Sequence, residues 1–359
     1  MLAKLFANTA KSAFNGPRPL IVVDIGQDDP ARGDTHGFIG LARGVAEKLG
    51  GDMVVVDEDN LVLLYPQIQA GENSFHNHQA RLRAFFESKG YPDMLFSKKV
   101  SETTLADLKT NGTNLVISSV VEKLSAKAPA LCKSRHLVAH HLNSKIMQYE
   151  GDVFLQEYST LPRPYIAVLV ADSIEPVADS EDLAAICRNY EEATVFVCTS
   201  HRAWSDFYND FMQRFKTLTE DSGLAGRLHI VGYDYKLHQD IYGPNAHYNM
   251  YPGLIDQADH VIITGYSSSM VSEVLSTGKV PFVTKDEWYD QMIENGHAAR
   301  FSDCSSGKVL ETTRITPVNI TEDLVDYIIQ CHRKNAEARP GHGFFGAVRK
   351  RPAGGDFTL

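Results

Sequence analysis

The segment from His260 to Val283 carries the sequence pattern of a strand, a turn, a helix and a second strand. His260–Thr264 is a β-branched apolar run of strand length, and Met270–Ser276 has apolar residues at helical spacing. Gly278 is placed to end the helix, and Val280–Val283 begins the next strand. Strands that alternate with helices are typical of parallel sheets, so this segment predicts an α/β fold.

The same alternation continues on both sides of Pro162-Arg163-Pro164, a stiff break at which strands and helices tend to stop. The other predicted strands are Leu20–Ile25, Met53–Val56, Asn114–Ser118, His136–His140, Val153–Leu155, Tyr165–Val170, Ala193–Cys198 and Leu228–Val231. The other predicted helices are Phe38–Leu49, Ser180–Asn189 and Trp204–Thr219. We therefore expect an N-terminal extension (residues 1–19), two α/β domains (20–161 and 162–338) and a flexible tail (339–359).

Composition excludes several classes of protein. A chain of 359 residues suits two domains of roughly 150 residues each. The net charge of −10 argues against a broad nucleic-acid-binding surface, so we expect no nucleic-acid partner. No run approaches the roughly 20 apolar residues that span a bilayer. The five cysteines lack metal-ligand or disulfide spacing, which indicates reduced thiols and a cytoplasmic location.

Residues 1–19 are basic and carry apolar side chains at helical spacing. One interpretation is peripheral contact with a membrane surface, or an import sequence. The other is an extension that packs on the protein or frays in solution.

A cluster of small polar residues links the strand and the helix of the opening segment. Gly265 is followed by Tyr266 and then by Ser267, Ser268 and Ser269, where the helix is predicted to begin. The first N–H groups of a helix and nearby hydroxyls favour an anion, and phosphate above all. Serine is also a common N-cap, so these residues are candidates either for phosphate binding or for capping alone.

Several segments, in order, carry the resemblance of this chain to a known family. They are Gly33–Gly37 with His36, Pro162–Tyr165, Cys198–Arg202, the Ser-Met-Val-Ser-Glu core within Ala258–Lys279, Asn295–Phe301 and Leu310–Thr313. Together they resemble the plant mitochondrial-fission protein family and its bacterial relatives, which look like two-domain glycosyltransferases of the GT-B type.

The resemblance implies an architecture and a ligand. It implies two Rossmann-like parallel-sheet domains facing across a cleft, with residues 20–161 on the acceptor side and residues 162–338 on the nucleotide-sugar side. The donor substrate would be a nucleotide-diphospho-sugar, with no separate cofactor. No metal is expected, because such transferases use helix ends and basic side chains to stabilise the leaving diphosphate.

Roles for individual residues follow from the resemblance and from their chemistry. In GT-B transferases a glutamate at the place of Glu273 binds the ribose hydroxyls; the alternative is a solvated helix glutamate. Thr199, Ser200 and Arg202 follow a predicted strand, and the forked charge of Arg202 suits a phosphate, although a surface arginine in a loop is the other interpretation. His36 is a candidate general base for an acceptor hydroxyl, and equally a structural or solvated histidine.

The chain departs from the family at two places. The family's Gly-Gly pair after the strand Tyr165–Val170 is replaced by Ala171-Asp172-Ser173, and Tyr266 replaces an aspartate. A carboxylate near the phosphate position favours an alternative, a non-catalytic GT-B-fold interaction protein acting at a membrane or an organelle-division site. Enzymatic transfer of the sugar is the first hypothesis and this interaction protein the second.

Two other classes of enzyme fit the sequence less well. A hydrolase nucleophile elbow has the sequence Gly-x-Ser-x-Gly, and Ser269 stands in place of the second glycine. A dinucleotide-binding oxidoreductase needs Gly-x-Gly-x-x-Gly after the first strand, which Ile25–Asp28 does not supply. The nearby acidic residues are Asp24, Asp28 and Asp29, and such a run is more typical of a hydrated loop than of a metal site.

Overall fold

The computed structural model describes most of the α/β part of the chain. The described residues are 18–26, 33–68, 74–117, 137–140, 142, 144–172, 181, 184, 189–190, 192–199, 217, 227–232, 250–284, 286–302 and 311–337. The predicted N-terminal extension and C-terminal tail fall almost wholly outside them. The chain divides into two compact units, of which the first runs to His141 and resumes at Ile320, and the second is Leu142–Asn319.

The first unit contains a four-stranded parallel sheet. Its strands are β1 (Leu20–Gly26), β2 (Asp52–Asp57), β3 (Met94–Ser97) and β4 (Leu115–Ile117), in the order β2-β1-β3-β4. Its helices are α1 (Gly33–Leu49), α2 (Glu58–Leu64), α3 (Ser74–Lys89), α4 (Glu102–Thr110) and the C-terminal helix α9 (Ile320–Glu337). Alternate residues of β1 pack against Leu82, Phe85 and Phe86 of α3 in an apolar core, which explains the apolar pattern of this strand.

Helix α9 packs against α1, although some 270 residues separate them along the chain. A Cβ atom added at Gly44 would lie 2.6 Å from Cγ2 of Val325, so a glycine permits the two helices to approach closely. Thr321 at the start of α9 also exchanges two hydrogen bonds with the backbone of His140, at 3.0 and 3.1 Å. The C-terminal helix is therefore part of the first unit's core.

The second unit contains a six-stranded parallel sheet. Its strands are β5 (Tyr165–Asp172), β6 (Thr194–Thr199), β7 (Leu228–Gly232), β8 (His260–Gly265), β9 (Phe282–Val283) and β10 (Ala299–Arg300). The helices that the structure describes with their bounds are α5 (Ser144–Tyr158), α6 (Met250–Gln257), α7 (Ser268–Leu275) and α8 (Asp286–Glu294). The predicted helices Ser180–Asn189 and Trp204–Thr219 lie largely outside the described residues. One face of the sheet buries Ile166, Val168 and Val170 against Ile262 and Phe301.

The strand order of the second sheet is that of a Rossmann fold. The order β7-β6-β5-β8-β9-β10 places the first strand of the unit in the middle, with later strands added on each side. The direction of winding reverses between β5 and β8, and ligands of such sheets bind beyond the carboxyl ends of the strands at this switch point. The predicted α/β class with two Rossmann-like parallel-sheet domains is confirmed.

The division into units differs from the one expected from the sequence. Pro162 was expected to begin a domain that extends to residue 338. Instead α5, which precedes Pro162, packs against α6 in the second unit, and α9 packs in the first. A proline-rich break stops an element but does not show which sheet the neighbouring helices cover.

Three predictions of secondary structure are wrong. Val153–Leu155 is not a strand but part of α5, where Met147, Phe154 and Tyr158 are buried at helical spacing; so short an apolar run does not distinguish strand from helix. Residues 137–140 form no strand, because the backbone of His140 bonds to Thr321 and not to a sheet. Helix α1 begins at Gly33, five residues before the predicted start at Phe38. Within the described residues, no helix is long and apolar enough to cross a membrane.

Candidate functional site

The switch point of the second sheet brings Asp172 beside Gly265. These residues end β5 and β8 and are register partners, with an irregularity in β5 between Val170 and Asp172. Gly265 has φ +78°, a conformation that residues with a Cβ atom rarely adopt. The chain turns sharply here and enters α7 after Tyr266 and Ser267.

Ser267 caps helix α7. Its Oγ accepts a hydrogen bond from the Met270 N–H at 3.2 Å and lies 3.2 Å from Oγ of Ser269. The backbone N–H groups of Ser268 and Ser269 open the helix and have no acceptor among the described residues. The capping interpretation thus holds for Ser267, and two N–H donors remain free for an anion.

The backbone of Ser267 is extended, with φ −156°. All residues with a positive φ in the described part of the chain are glycines. The turn therefore lacks the sharp, strained serine of a hydrolase nucleophile elbow.

Tyr289 of α8 holds the turn in place through two hydrogen bonds. Its hydroxyl accepts the Ser267 N–H at 2.8 Å and donates to the Gly265 carbonyl at 3.0 Å. Burial of this side chain raises the pKa of the hydroxyl, partly offset by the hydrogen bond from Ser267. Tyr289 therefore stays neutral and can act as both donor and acceptor. Nothing in the local sequence distinguishes Tyr289 from an ordinary aromatic residue of the hydrophobic core.

Glu273 lies in the second turn of α7 and is only 5% exposed. Its Oε2 accepts a hydrogen bond from the Tyr251 hydroxyl at 2.5 Å, and no described residue bonds to Oε1. Burial raises the pKa of Glu273 to about 7, although the Tyr251 hydrogen bond lowers it. The alternative of a solvated helix glutamate is wrong, because this carboxyl group is enclosed and half protonated near neutral pH.

Lys279 supports the same region. Its buried Nζ donates to the carbonyl of Ile255 at 2.6 Å and to that of Asp256 at the C-terminus of α6. A cation at this end of a helix satisfies the last carbonyl groups and the helix dipole. Burial lowers the pKa of Lys279 to about 8, against the raising effect of Asp256. Lys279 thus fixes the helix that carries Tyr251, the partner of Glu273.

The other predicted site residues are only partly described. Thr199 ends β6 at the same edge of the sheet as Gly265, and its backbone pairs with Val170 and Gly232. Ser200 and Arg202 lie outside the described residues. His36 lies in the first turn of α1 and not in a preceding turn, and its side chain is also outside the description.

The first unit contains a buried charged cluster that the sequence analysis missed. At the carboxyl ends of β1 and β3, Asp24 and Ser97 are register partners, and the Ser97 hydroxyl donates to Asp24 at 2.8 Å. His78 of α3 lies between Asp24 and Glu58, with its Nε2 2.7 Å from Asp24 and its Nδ1 against Glu58. Arg81 bonds to the other oxygen of Glu58 at 2.5 Å. We call these five residues the Asp24–His78 cluster.

Two carboxylates keep His78 positively charged. Burial lowers the pKa of His78, but the hydrogen bonds and charges of Asp24 and Glu58 outweigh it and raise the pKa to about 9. The ring is therefore doubly protonated at neutral pH and has no free nitrogen to act as a base. Asp24 was predicted to lie in a hydrated loop; it is instead a buried member of this ion-paired cluster.

No group of three or more potential ligand side chains has an arrangement suited to a metal ion in the part of the chain that the structure describes. Asp28 and Asp29 lie outside it.

No protein-family model and no curated protein sequence matches the chain. Similar solved structures include the UDP-GlcNAc 2-epimerase of Methanocaldococcus jannaschii, at 10% identity over 88% of this chain and 99% of that one, with a TM-score of 0.48. The glycosyl transferase family 9 protein of Veillonella parvula is 10% identical over 91% and 99%, with a TM-score of 0.43. An Anabaena protein in complex with UDP-glucose is 10% identical over 89% and 99%, with a TM-score of 0.34. The GT-B-like assignment rests on the two sheets of the chain itself.

Proposed function

We propose that the chain binds a nucleotide-diphospho-sugar at the switch point of its second sheet and transfers the sugar to an acceptor. One observation carries the proposal. A serine-capped helix begins at the carboxyl end of β8, with two N–H groups that bond to no described residue and an enclosed glutamate one turn further along. This combination offers donors to a diphosphate and an acceptor to hydroxyl groups within one short helix.

In this proposal the diphosphate lies against the start of α7. The N–H groups of Ser268 and Ser269 donate to its oxygens, and the partial positive charge of the helix N-terminus favours its negative charge. Ser267 maintains the helix cap beneath it. Thr199, which ends β6, and Ser200 and Arg202, which follow it in the sequence, are the further proposed phosphate ligands, with Arg202 as the cation.

Glu273 is the proposed ribose ligand. Tyr251 holds one carboxyl oxygen, which leaves Oε1 to accept a hydrogen bond from a ribose hydroxyl. Because burial raises the pKa of Glu273 by disfavouring its charged form, a ribose hydroxyl that donates to the carboxylate would stabilise that form.

Catalysis in this proposal needs no metal. His36 is the proposed general base, which would accept the proton of an acceptor hydroxyl as that oxygen bonds to the sugar and the diphosphate departs. Helix α7 and Arg202 stabilise the departing diphosphate. The motif resemblance supports membership of the mitochondrial-fission protein family and its bacterial relatives, as a glycosyltransferase-like member.

A second candidate function is a non-catalytic interaction protein of the same fold, with peripheral membrane contact through residues 1–19. The observation that favours it is the position of Asp172, whose backbone is the register partner of Gly265. The family that the chain resembles has a glycine pair in this segment, and an acidic residue in a phosphate-binding turn opposes a diphosphate.

Thermal unfolding with nucleotides separates the two candidates. We expect one of UDP, GDP, ADP or dTDP to raise the unfolding free energy by about 2.7 kcal/mol at 100 times its dissociation constant. Sugar transfer is then tested by release of that diphosphate from its sugar conjugate. An unchanged melting temperature with all four diphosphates would reject the transferase and leave the interaction protein.

A further inference from the structure

Two aromatic side chains flank the serine-capped turn. Tyr266 directly precedes Ser267, and its ring lies 5.5 Å from that of Trp288 at an interplanar angle of 67°. Trp288 in turn packs edge-on against Tyr289, with ring centroids 4.7 Å apart. We call Tyr266 and Trp288 the aromatic pair.

The aromatic pair is fixed in place but remains open to solvent. Tyr289 is fully buried and bonded to both Gly265 and Ser267, so it anchors the neighbouring Trp288. Trp288 is nevertheless 45% exposed, and Tyr266 is partly exposed. A rigid indole that is left in water offers a large contact area at low entropic cost, as ligand-binding aromatic residues do.

The aromatic pair also lies at the ligand-binding edge of the sheet. Helix α8 follows β9, whose Val283 pairs with Ile263 of β8, so Trp288 lies beyond the carboxyl ends of these strands. Single exposed apolar side chains are common on protein surfaces. Here, however, the exposed ring is in contact with the residue that precedes the helix cap.

The order of contacts along the chain indicates which part of the ligand meets the aromatic pair. Tyr266 lies before the N-terminus of α7, whereas Glu273 lies in its second turn. A nucleotide-diphospho-sugar has its nucleoside on one side of the diphosphate and its sugar on the other. With the ribose at Glu273 and the diphosphate at Ser268, the sugar extends toward Tyr266.

We propose that Tyr266 and Trp288 form the subsite for the transferred sugar and bind the apolar face of an uncharged sugar ring. This inference rests on the proposed function and adds the substrate class to it. The C–H groups on one face of a pyranose are weakly positive and complement the negative face of an aromatic ring. The aromatic pair itself carries no ionic group, so it recognises ring shape and not charge.

Calorimetric titration compares each diphosphate with its sugar conjugate, using UDP with UDP-GlcNAc and GDP with GDP-mannose. In Trp288→Ala we expect the affinity for the conjugate to fall about five- to tenfold while the affinity for the diphosphate stays unchanged. Tyr266→Ala should act in the same direction, and Trp288→Phe should retain part of the difference. Tyr149→Ala, at an exposed aromatic residue of α5, is the matched control and should change neither affinity.

Fluorescence gives an independent measurement, because Trp204 and Trp288 are the only tryptophans of the chain. In Trp204→Phe, emission of Trp288 should respond to the sugar conjugate and far less to the diphosphate. If Trp288→Ala lowers the affinities for the diphosphate and for the sugar conjugate equally, the indole contacts the nucleoside and the inference is wrong. The inference is also wrong if neither affinity falls. If wild-type protein binds none of these ligands, the proposed function fails and the sugar subsite fails with it.

Discussion

The Nε2 atom of His78 lies 2.7 Å from Oδ1 of Asp24 at the carboxyl end of β1, with both side chains buried. Glu58 contacts the other ring nitrogen, so the imidazolium is held between two carboxylates. Removing one partner from such a buried ion pair leaves an uncompensated charge, which is far more costly than the loss of a surface pair.

The first prediction concerns the pH dependence of stability. The pKa of His78 is raised from 6.5 in the unfolded chain to about 9 in the folded protein. The contribution of protonated His78 to the free energy of unfolding is therefore fully present below pH 6.5 and is lost as the pH rises through 9. The loss is about 3 kcal/mol. Urea unfolding of the wild type and of His78→Leu between pH 6 and 10 measures this loss as the change in their stability difference, because Glu273 and Lys279 titrate in both proteins. His78→Leu should cost about 3–5 kcal/mol at pH 7, whereas His76→Asn, on the exposed side of the same helix, should have little effect. A stability difference between the wild type and His78→Leu that stays constant from pH 6 to 10 would contradict the prediction.

The second prediction is that Glu273 destabilises the free protein at alkaline pH. Its pKa is raised from 4.5 to about 7, so the folded state holds a proton that the unfolded state has lost. The contribution of this proton to the free energy of unfolding is fully present below pH 4.5 and is lost as the pH rises through 7. The loss is about 3 kcal/mol. Glu273→Gln should be more stable than the wild type at pH 8 and should lose the nucleotide-induced rise in melting temperature. Glu287→Gln, at an exposed glutamate of α8, is the control.

The third prediction separates helix stability from ligand binding at Ser268. An aspartate in the first turn of α7 should favour the helix dipole by about 0.3–1 kcal/mol. The same charge should repel a diphosphate, so Ser268→Asp is expected to raise the melting temperature of the free protein slightly and to abolish nucleotide binding. Ser268→Asn has the same shape without the charge and should retain binding. Retention of diphosphate binding by the aspartate variant would argue against a phosphate at this turn.

The fourth prediction concerns Tyr289, which bridges Gly265 and Ser267. Tyr289→Phe leaves a buried N–H and a buried carbonyl without their partner and should cost about 1–3 kcal/mol in urea unfolding. Because the turn also positions the serines, affinity for the diphosphate should fall. Tyr149→Phe, which removes an exposed hydroxyl, is expected to change stability by less than about 0.5 kcal/mol. Equal stability of the two variants would mean that the bridge contributes nothing.

Local patterns predicted the central strands of the second sheet. Strands β5, β6 and β8 are mostly apolar runs buried on both faces, and the serines before α7 are a recognisable helix start. The same patterns could not predict the environment of Glu273. A glutamate at helical spacing looks solvated until the partner helix that carries Tyr251 is known.

The Asp24–His78 cluster escaped the sequence analysis for a related reason. Its members are up to 73 residues apart in the chain, and no local spacing connects them. The one available signal was Asp24 within the apolar run Leu20–Ile25, since a charged residue at a buried strand position requires a partner. That signal indicates that a partner exists without identifying His78.

Because α9 packs in the first unit, the two units are completed in a fixed order during synthesis of the chain. The described strands and helices of the second unit precede Ile320 in the chain and so leave the ribosome before α9, whereas the first sheet still lacks the helix that covers α1. Leu41 and Val45 of α1 are fully enclosed in the finished protein, in the helix that receives α9. The second unit can therefore complete its core during translation before the first, whose α1 stays incompletely covered until α9 emerges.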